Sequence, residues 1–219
     1  MAALGSDFAQ YRHIRGTAKA LVSKISKAGH QLNFSLISAA QRIGLPIEGK
    51  TLFFDGEEEM AALMDFYLHE YKPRDKSLVE AFADEDLTPE EQQMLSAQRR
   101  ARASLFLAVR ANENSSQVVL RDILHVHEPD CVITDISLSA SVARHGELLL
   151  YTRVLTCNGT TMTCGNFFVF PVSALDQLCK GHVMRTQGLP ENARGEATYI
   201  FFYEWNRRIG EDRRYQNVG

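Results

Sequence analysis

Over residues 7–28 the apolar side chains Tyr11, Ile14, Ala18, Leu21, Val22 and Ile25 recur at helical spacing, while Arg12, Arg15, Lys19, Lys24 and Lys27 fall on the opposite side. This pattern predicts a basic amphipathic helix that ends at Gly29. Such a helix suits a nucleic acid or a membrane surface, but packing on a core with a charged outer face is the leading expectation. A second helix over 31–43 would bury Leu32, Leu36, Ala40 and Ile43, then stop at Gly44-Leu45-Pro46. Further helix starts are marked by Asp55 with Glu58, Ser77 with Glu80, and Thr88-Pro89 with Glu91, each an oxygen-bearing cap followed at three residues by a carboxylate. Between the first two lies a stripe of Met60, Met64, Tyr67, Leu68 and Tyr71, which reads as core.

Near residue 103 the period changes. Strand-like runs at 104–109, 117–121, 131–138, 148–155 and 160–170 are separated by Asn112-Glu113-Asn114, Pro129-Asp130, His145-Gly146 and Asn158-Gly159. The Asn-Gly pair predicts a two-residue hairpin. The expected architecture is α+β: a helical N-terminal half (1–102), a small β module (103–171) forming a strongly curved antiparallel sheet or partial barrel, and a C-terminal helical and aromatic segment with a basic tail (172–219). Function is then expected on the helices, on the β module, or at the seam between them.

Composition narrows the class. With 219 residues, 45% of them hydrophobic, the chain can bury a sizeable core. Its apolar runs fall far short of the ~20 residues of a membrane helix, and the N-terminal residues lack a secretory pattern. A soluble, cytoplasmic protein with no membrane association is expected. The net charge of -3 hides a polarity: residues 1–50 carry seven Lys/Arg against two acids, and residues 55–91 carry thirteen Asp/Glu against three Lys/Arg. The two stretches should attract one another within the fold.

The run Phe53-Phe54-Asp55-Gly56-Glu57-Glu58-Glu59-Met60, then Met64-Asp65-Phe66-Tyr67-Leu68-His69-Glu70 and Ser77-Leu78-Val79-Glu80-Ala81-Phe82, resembles a group of uncharacterised bacterial proteins in which a helical region precedes a small β domain. The likeness continues through Leu120-Arg121-Asp122-Ile123-Leu124, Asp135, Gly146-Glu147-Leu148-Leu149, Arg153, Gly165 and Phe170-Pro171, covering about residues 30–171. Some members of that group carry a zinc-binding SEC-C tail. No Cys-x-Cys array follows the β block here, so the resemblance implies a fold, with no zinc site and no activity.

Cys131, Cys157, Cys164 and Cys179 include no Cys-x-x-Cys pair. In the predicted hairpin Cys157 lies opposite Thr160 and Cys164 opposite Arg153. The two sulfurs are then separated by roughly 13 Å, beyond the ~7 Å reach of a disulfide, and four free thiols are expected. The weak metal candidates are His125 and His127 with Asp122, Asp130 or Cys131, because two histidines one residue apart on an extended chain point the same way. A polar strand edge is the stronger reading of that segment.

The chain lacks the Gly-x-Ser-x-Gly elbow, the phosphate loop and the dinucleotide glycine turn, and no catalytic residue or cofactor is assigned. The leading expectation is therefore a non-enzymatic interaction or adaptor protein that self-associates. Its interface candidates are Tyr199, Phe201, Phe202, Tyr203 and Trp205, with closure of the core as the competing role for that segment. The alternatives are single-stranded nucleic-acid binding through Phe167, Phe168 and the Tyr199 to Arg214 tail with its Arg207, Arg208, Arg213 and Arg214, and a metal-dependent enzyme built on His125 and His127.

Overall fold

The computed structural model describes residues 2–211, with side chains from residue 8 onward. In chain order the helices are α1 (Ala2–Ala28), α2 (Leu36–Arg42), α3 (Glu57–His69), α4 (Leu78–Ala81), α5 (Pro89–Arg100), α6 (Ile136–His145), α7 (Leu175–Thr186) and α8 (Glu191–Ile209). The strands are β1 (Ile47–Glu48), β2 (Thr51–Leu52), β3 (Arg102–Asn112), β4 (Gln117–Asp122), β5 (Cys131–Thr134), β6 (Leu148–Cys157) and β7 (Thr160–Phe170). The first two strands form a small hairpin that the sequence pattern did not mark. The others form one antiparallel sheet in the order β5-β4-β3-β6-β7.

Local chemistry accounts for most of the element starts. Ser77 with Glu80 and Thr88 with Glu91 form the two reciprocal capping boxes expected from their spacing, opening α4 and α5. Asp55 does not cap α3; the cap position belongs to Gly56, and the Asp55 backbone N–H donates to Glu59 instead. At the β6–β7 turn, Asn158 and Gly159 both take positive φ (50° and 76°), the conformation that a two-residue hairpin requires. The ladder then pairs Cys157 with Thr160 and Val154 with Thr163, as the turn dictates. Beyond that point three residues, 164–166, oppose the single residue Arg153, and Gly165 (φ 95°) absorbs the bulge. All four cysteines are free.

The strongly curved sheet or partial barrel of the sequence reading is corrected. The sheet is neither closed nor strongly curled, and helices are interleaved with the strands rather than gathered at the N-terminus. The cause is Asp135. The run expected to be one strand over 131–138 ends at Thr134, because the Asp135 side chain accepts the backbone N–H of Leu138 and starts α6. Helix α6 buries Leu138 and Val142 against Phe106, Leu120 and Leu150, covering one face of the sheet.

The opposite face carries the main core. Leu105 of β3, Tyr151 of β6 and Phe168 of β7 meet Leu21 and Ile25 of α1, Phe66 of α3, and Tyr199 and Phe202 of α8. The stretches 1–102, 103–171 and 172–219 thus contribute to one hydrophobic cluster. Burial on both faces explains the nearly unbroken apolar run of β6. The basic and acidic stretches meet at the α1–α5 contact, where Lys24 pairs with Glu91 at 2.5 Å and His13 lies 3.2 Å from Glu90.

Asp135 also ties distant elements together. Its second oxygen accepts Arg15 of α1 at 2.9 Å and the Thr163 hydroxyl of β7 at 2.7 Å, within a buried site. Asp135→Ala is expected to lower unfolding free energy by about 3 kcal/mol, since it removes a cap and breaks a largely buried ion pair. Asp135→Asn keeps the capping oxygen and should cost less, with both measured by urea denaturation.

Candidate functional site

Arg153 stands in β6 between Thr152 and Val154, and the pleat of the strand sends it toward the helical layer. A guanidinium that enters a core must find carboxylates. Asp65 supplies one at 3.1 Å from Nε, and Glu70, at the C-terminal end of α3, supplies the other at 2.6 Å from Nη2. All three side chains are buried. Burial alone would favour a neutral Arg153, but the two carboxylates outweigh it and raise its pKa well above the ordinary value. Asp65 therefore belongs to a structural ion pair, although it lies in a highly acidic stretch of sequence.

Next to this network the sheet and helices leave a cavity of about 430 Å3. Its apolar walls are Ala18 and Val22 of α1, Met64 and Leu68 of α3, Leu155 of β6 and Met162 of β7. Polar groups converge on it from several elements: Asp65 and His69 of α3, Gln98 of α5, and Cys164 and Asn166 at the β7 bulge. Arg15 and Lys19 of α1 complete the lining. A side chain at position 165 would press on Arg15, whose Nη1 would lie 3.3 Å from the added carbon, so glycine there also keeps the wall clear. A larger depression of about 630 Å3 beside Phe34 and Tyr67 is lined by no Asp, Glu, Lys or Arg. The smaller cavity has the mixture of apolar wall and few polar groups that ligand sites use.

Two of its polar side chains are tuned by burial and by the charges behind them. Burial, helped by the positive Arg153, lowers the His69 pKa to about 3, so the ring is neutral at ordinary pH. The ring makes no hydrogen bond to any described residue. Burial, then the Asp65 carboxylate, pushes the Cys164 thiol up to about 12, against the pull of Arg153 and Arg15. That thiol is no nucleophile near neutral pH. The cavity floor offers neutral hydrogen-bonding groups beside the Asp65 carboxylate that Arg153 engages.

The metal candidates are not gathered into a comparable site. Strand β4 ends at Asp122, so His125 and His127 sit on a turn and not on an extended strand. The Asp122 carboxylate receives Arg102 at 2.8 Å, Ser104 at 2.6 Å and the backbone N–H groups of Leu124 and His125. Asp130 is held by Arg121, and burial raises the Cys131 thiol pKa. Among the described residues no three His, Cys, Asp or Glu side chains are placed to share a metal ion. Ser104, His125 and Asp122 are neighbours, but the same imidazole nitrogen, Nδ1, faces both the hydroxyl and the carboxylate. A hydrolytic relay needs the two ring nitrogens to serve different partners.

The aromatic segment offered as an interface is spent within the molecule. On α8, Tyr199, Phe202 and Tyr203 fall on one face at i, i+3, i+4 spacing and pack on Tyr151, Phe168 and Phe170. Phe201 is buried too, and Trp205 is partly buried beside it. These side chains close the core, the competing role weighed for them. Of the nucleic-acid candidates, Phe168 is buried, Phe167 is half-buried, Arg207 and Arg208 are exposed at the end of α8 with Arg207 3.7 Å from Glu59, and Arg213 and Arg214 lie outside the described residues. No helix among the described residues is long and apolar enough to cross a membrane.

Comparison with known proteins places the whole architecture in one group. The chain belongs to a family of unknown function, DUF7986. The family match spans residues 6–216, taking in the cavity and the Asp65–Arg153–Glu70 network together. No curated protein and no solved structure matches the chain. Several residues that carried the sequence resemblance, Asp65, His69, Glu70, Arg153 and Gly165, meet at this cavity or directly behind it. Read along the chain they were fragments of separate elements. The one signal that could have joined them was a lone arginine, Arg153, inside an otherwise apolar strand pattern.

The depressed His69 pKa has a pH signature. An unfolded histidine, with an ordinary pKa near 6.5, binds a proton that the native ring refuses until about pH 3. Its contribution to stability is thus complete above about pH 6.5 and is lost as pH falls toward 3. The urea midpoint should fall more steeply between pH 7 and 4 in the native protein than in His69→Gln. Equal slopes would show that the ring is not desolvated.

Proposed function

We propose that this protein is a non-enzymatic small-molecule-binding module whose ligand occupies the cavity between α1, α3 and the β6–β7 bulge. The observation that carries this reading is the convergence of neutral polar groups, His69, Gln98, Cys164 and Asn166, on a cavity of about 430 Å3 with aliphatic walls. That volume falls in the range of roughly 300–1,000 Å3 used for small ligands. The ion-pair network behind it keeps the floor rigid, so little ordering cost is paid on binding.

A second reading, association with a partner protein or a second copy, is favoured by the apolar side chains Val183 and Met184 on α7, the latter 79% exposed. The reading as a single-strand nucleic-acid binder draws no comparable support, because the stacking candidate Phe168 lies in the core.

Methyl-labelled methionine NMR separates these. Met162 lines the cavity and Met64 lies between it and the larger depression, so the two methyls moving together report the cavity, whereas Met60 and Met184 are exposed elsewhere. Titration with 1-octanol is expected to shift the Met64 and Met162 methyls in a saturable way and leave Met60 and Met184 in place. Absence of any saturable shift at the cavity pair contradicts the binding reading. Without added probe, a shift of Met184 alone with rising protein concentration would support self-association through α7.

A further inference from the structure

The charges at the cavity, taken one by one, reveal which end of a ligand the site receives. Arg15 is occupied by Asp135 and the Thr163 hydroxyl. Asp65 is occupied by Arg153. Lys19 is different: it lines the same cavity, lies exposed on α1, and has no ion-pair or hydrogen-bond partner among the described residues. Deeper in, His69 is a neutral ring with no hydrogen-bonding partner, and Ala18, Val22, Met64 and Leu68 offer only hydrocarbon. The surroundings therefore have one uncommitted charge, and it is positive and solvent-side.

We propose that the ligand is an apolar monocarboxylate, an aliphatic body seated among Ala18, Val22, Met64 and Leu68 with its carboxylate at the solvent end against Lys19. This rests on the cavity reading given above and adds the class of ligand to it. A carboxylate placed there keeps most of its hydration while gaining an ammonium partner, and its hydrocarbon is removed from water. A carboxylate driven head-first to the floor would instead meet Asp65 and lose its solvation without a free cation to offset the loss. An amine fails at the other end, because Lys19 and Arg15 stand at the mouth. The neutral imidazole inside neither attracts nor repels an ion, which leaves the head-group choice to Lys19.

The test compares three probes of equal chain length, sodium octanoate, 1-octanol and octylammonium chloride, by titration on the full chain with the Met64 and Met162 methyls as reporters. Octanoate is expected to bind most tightly, about threefold to fivefold better than octanol, the increment of a single exposed ion pair. Lys19→Gln, a change on an exposed helical position that should leave folding intact, is expected to abolish the advantage of octanoate over octanol when both are measured in the same variant. Raised ionic strength should weaken octanoate alone. Equal binding of octanoate and octanol, tighter binding of the amine, or insensitivity to Lys19→Gln each overturns the carboxylate assignment while the cavity reading stands. If no probe moves the cavity methyls, both fall together.

Discussion

A guanidinium buried in the core between a helix and a sheet constrains everything around it. Arg153 enters that space because its strand position points there, and once inside it requires carboxylates on the facing helix. Asp65 and Glu70 come from positions five residues apart at the end of α3, which fixes both the rotation of the helix and where it must stop. The bulge in β7 stands opposite Arg153, with Gly165 at positive φ taking up the extra residues. The cavity is the space that results: wall from α3, floor from the ion pair, lip from the bulge, and a side closed by α1.

The same arrangement explains the chemical temper of the site. Burial beside a paired charge leaves His69 neutral and Cys164 protonated, so beside the Asp65–Arg153 pair the interior presents dipoles and hydrocarbon. Charge that can act on a ligand is confined to the outer rim on α1. Asp135 secures that rim, engaging Arg15 there and binding α1, α6 and β7 to one carboxylate.

Much of the scaffold was legible along the chain, and the losses have physical causes. Two capping boxes and the Asn158-Gly159 hairpin were readable because each depends on residues within four positions of one another. Helix α6 was hidden because Ile136 and Leu138 continue the apolar pattern of β5, and only the side chain of Asp135 divides the two. The open sheet followed from that same residue, since α6 covers a face that strands alone would have had to cover by curling. Asp65 and Glu70 were camouflaged in an acidic stretch whose other members are solvated or engaged in caps, apart from Glu59, which accepts the Tyr203 hydroxyl. Tyr199 to Trp205 showed its aromatic density plainly, but only the helical spacing against Tyr151 and Phe168 reveals that the density faces inward. The cavity itself could not be read, since its walls come from α1, α3, α5, β6 and β7, residues up to 151 positions apart.

The claim on which this account turns is that Asp65 is tolerated only because Arg153 is there. A two-background substitution measures it directly: Asp65→Asn introduced into the native protein and into Arg153→Met, with unfolding free energies from urea denaturation. In the native background Asp65→Asn should destabilise, because Arg153 loses one of its two carboxylates. In the Arg153→Met background the same change should stabilise, because it neutralises a buried carboxylate left beside Glu70 without a cation, giving a coupling of about 2 kcal/mol or more. The same effect of Asp65→Asn in both backgrounds, with coupling near zero, would contradict the account.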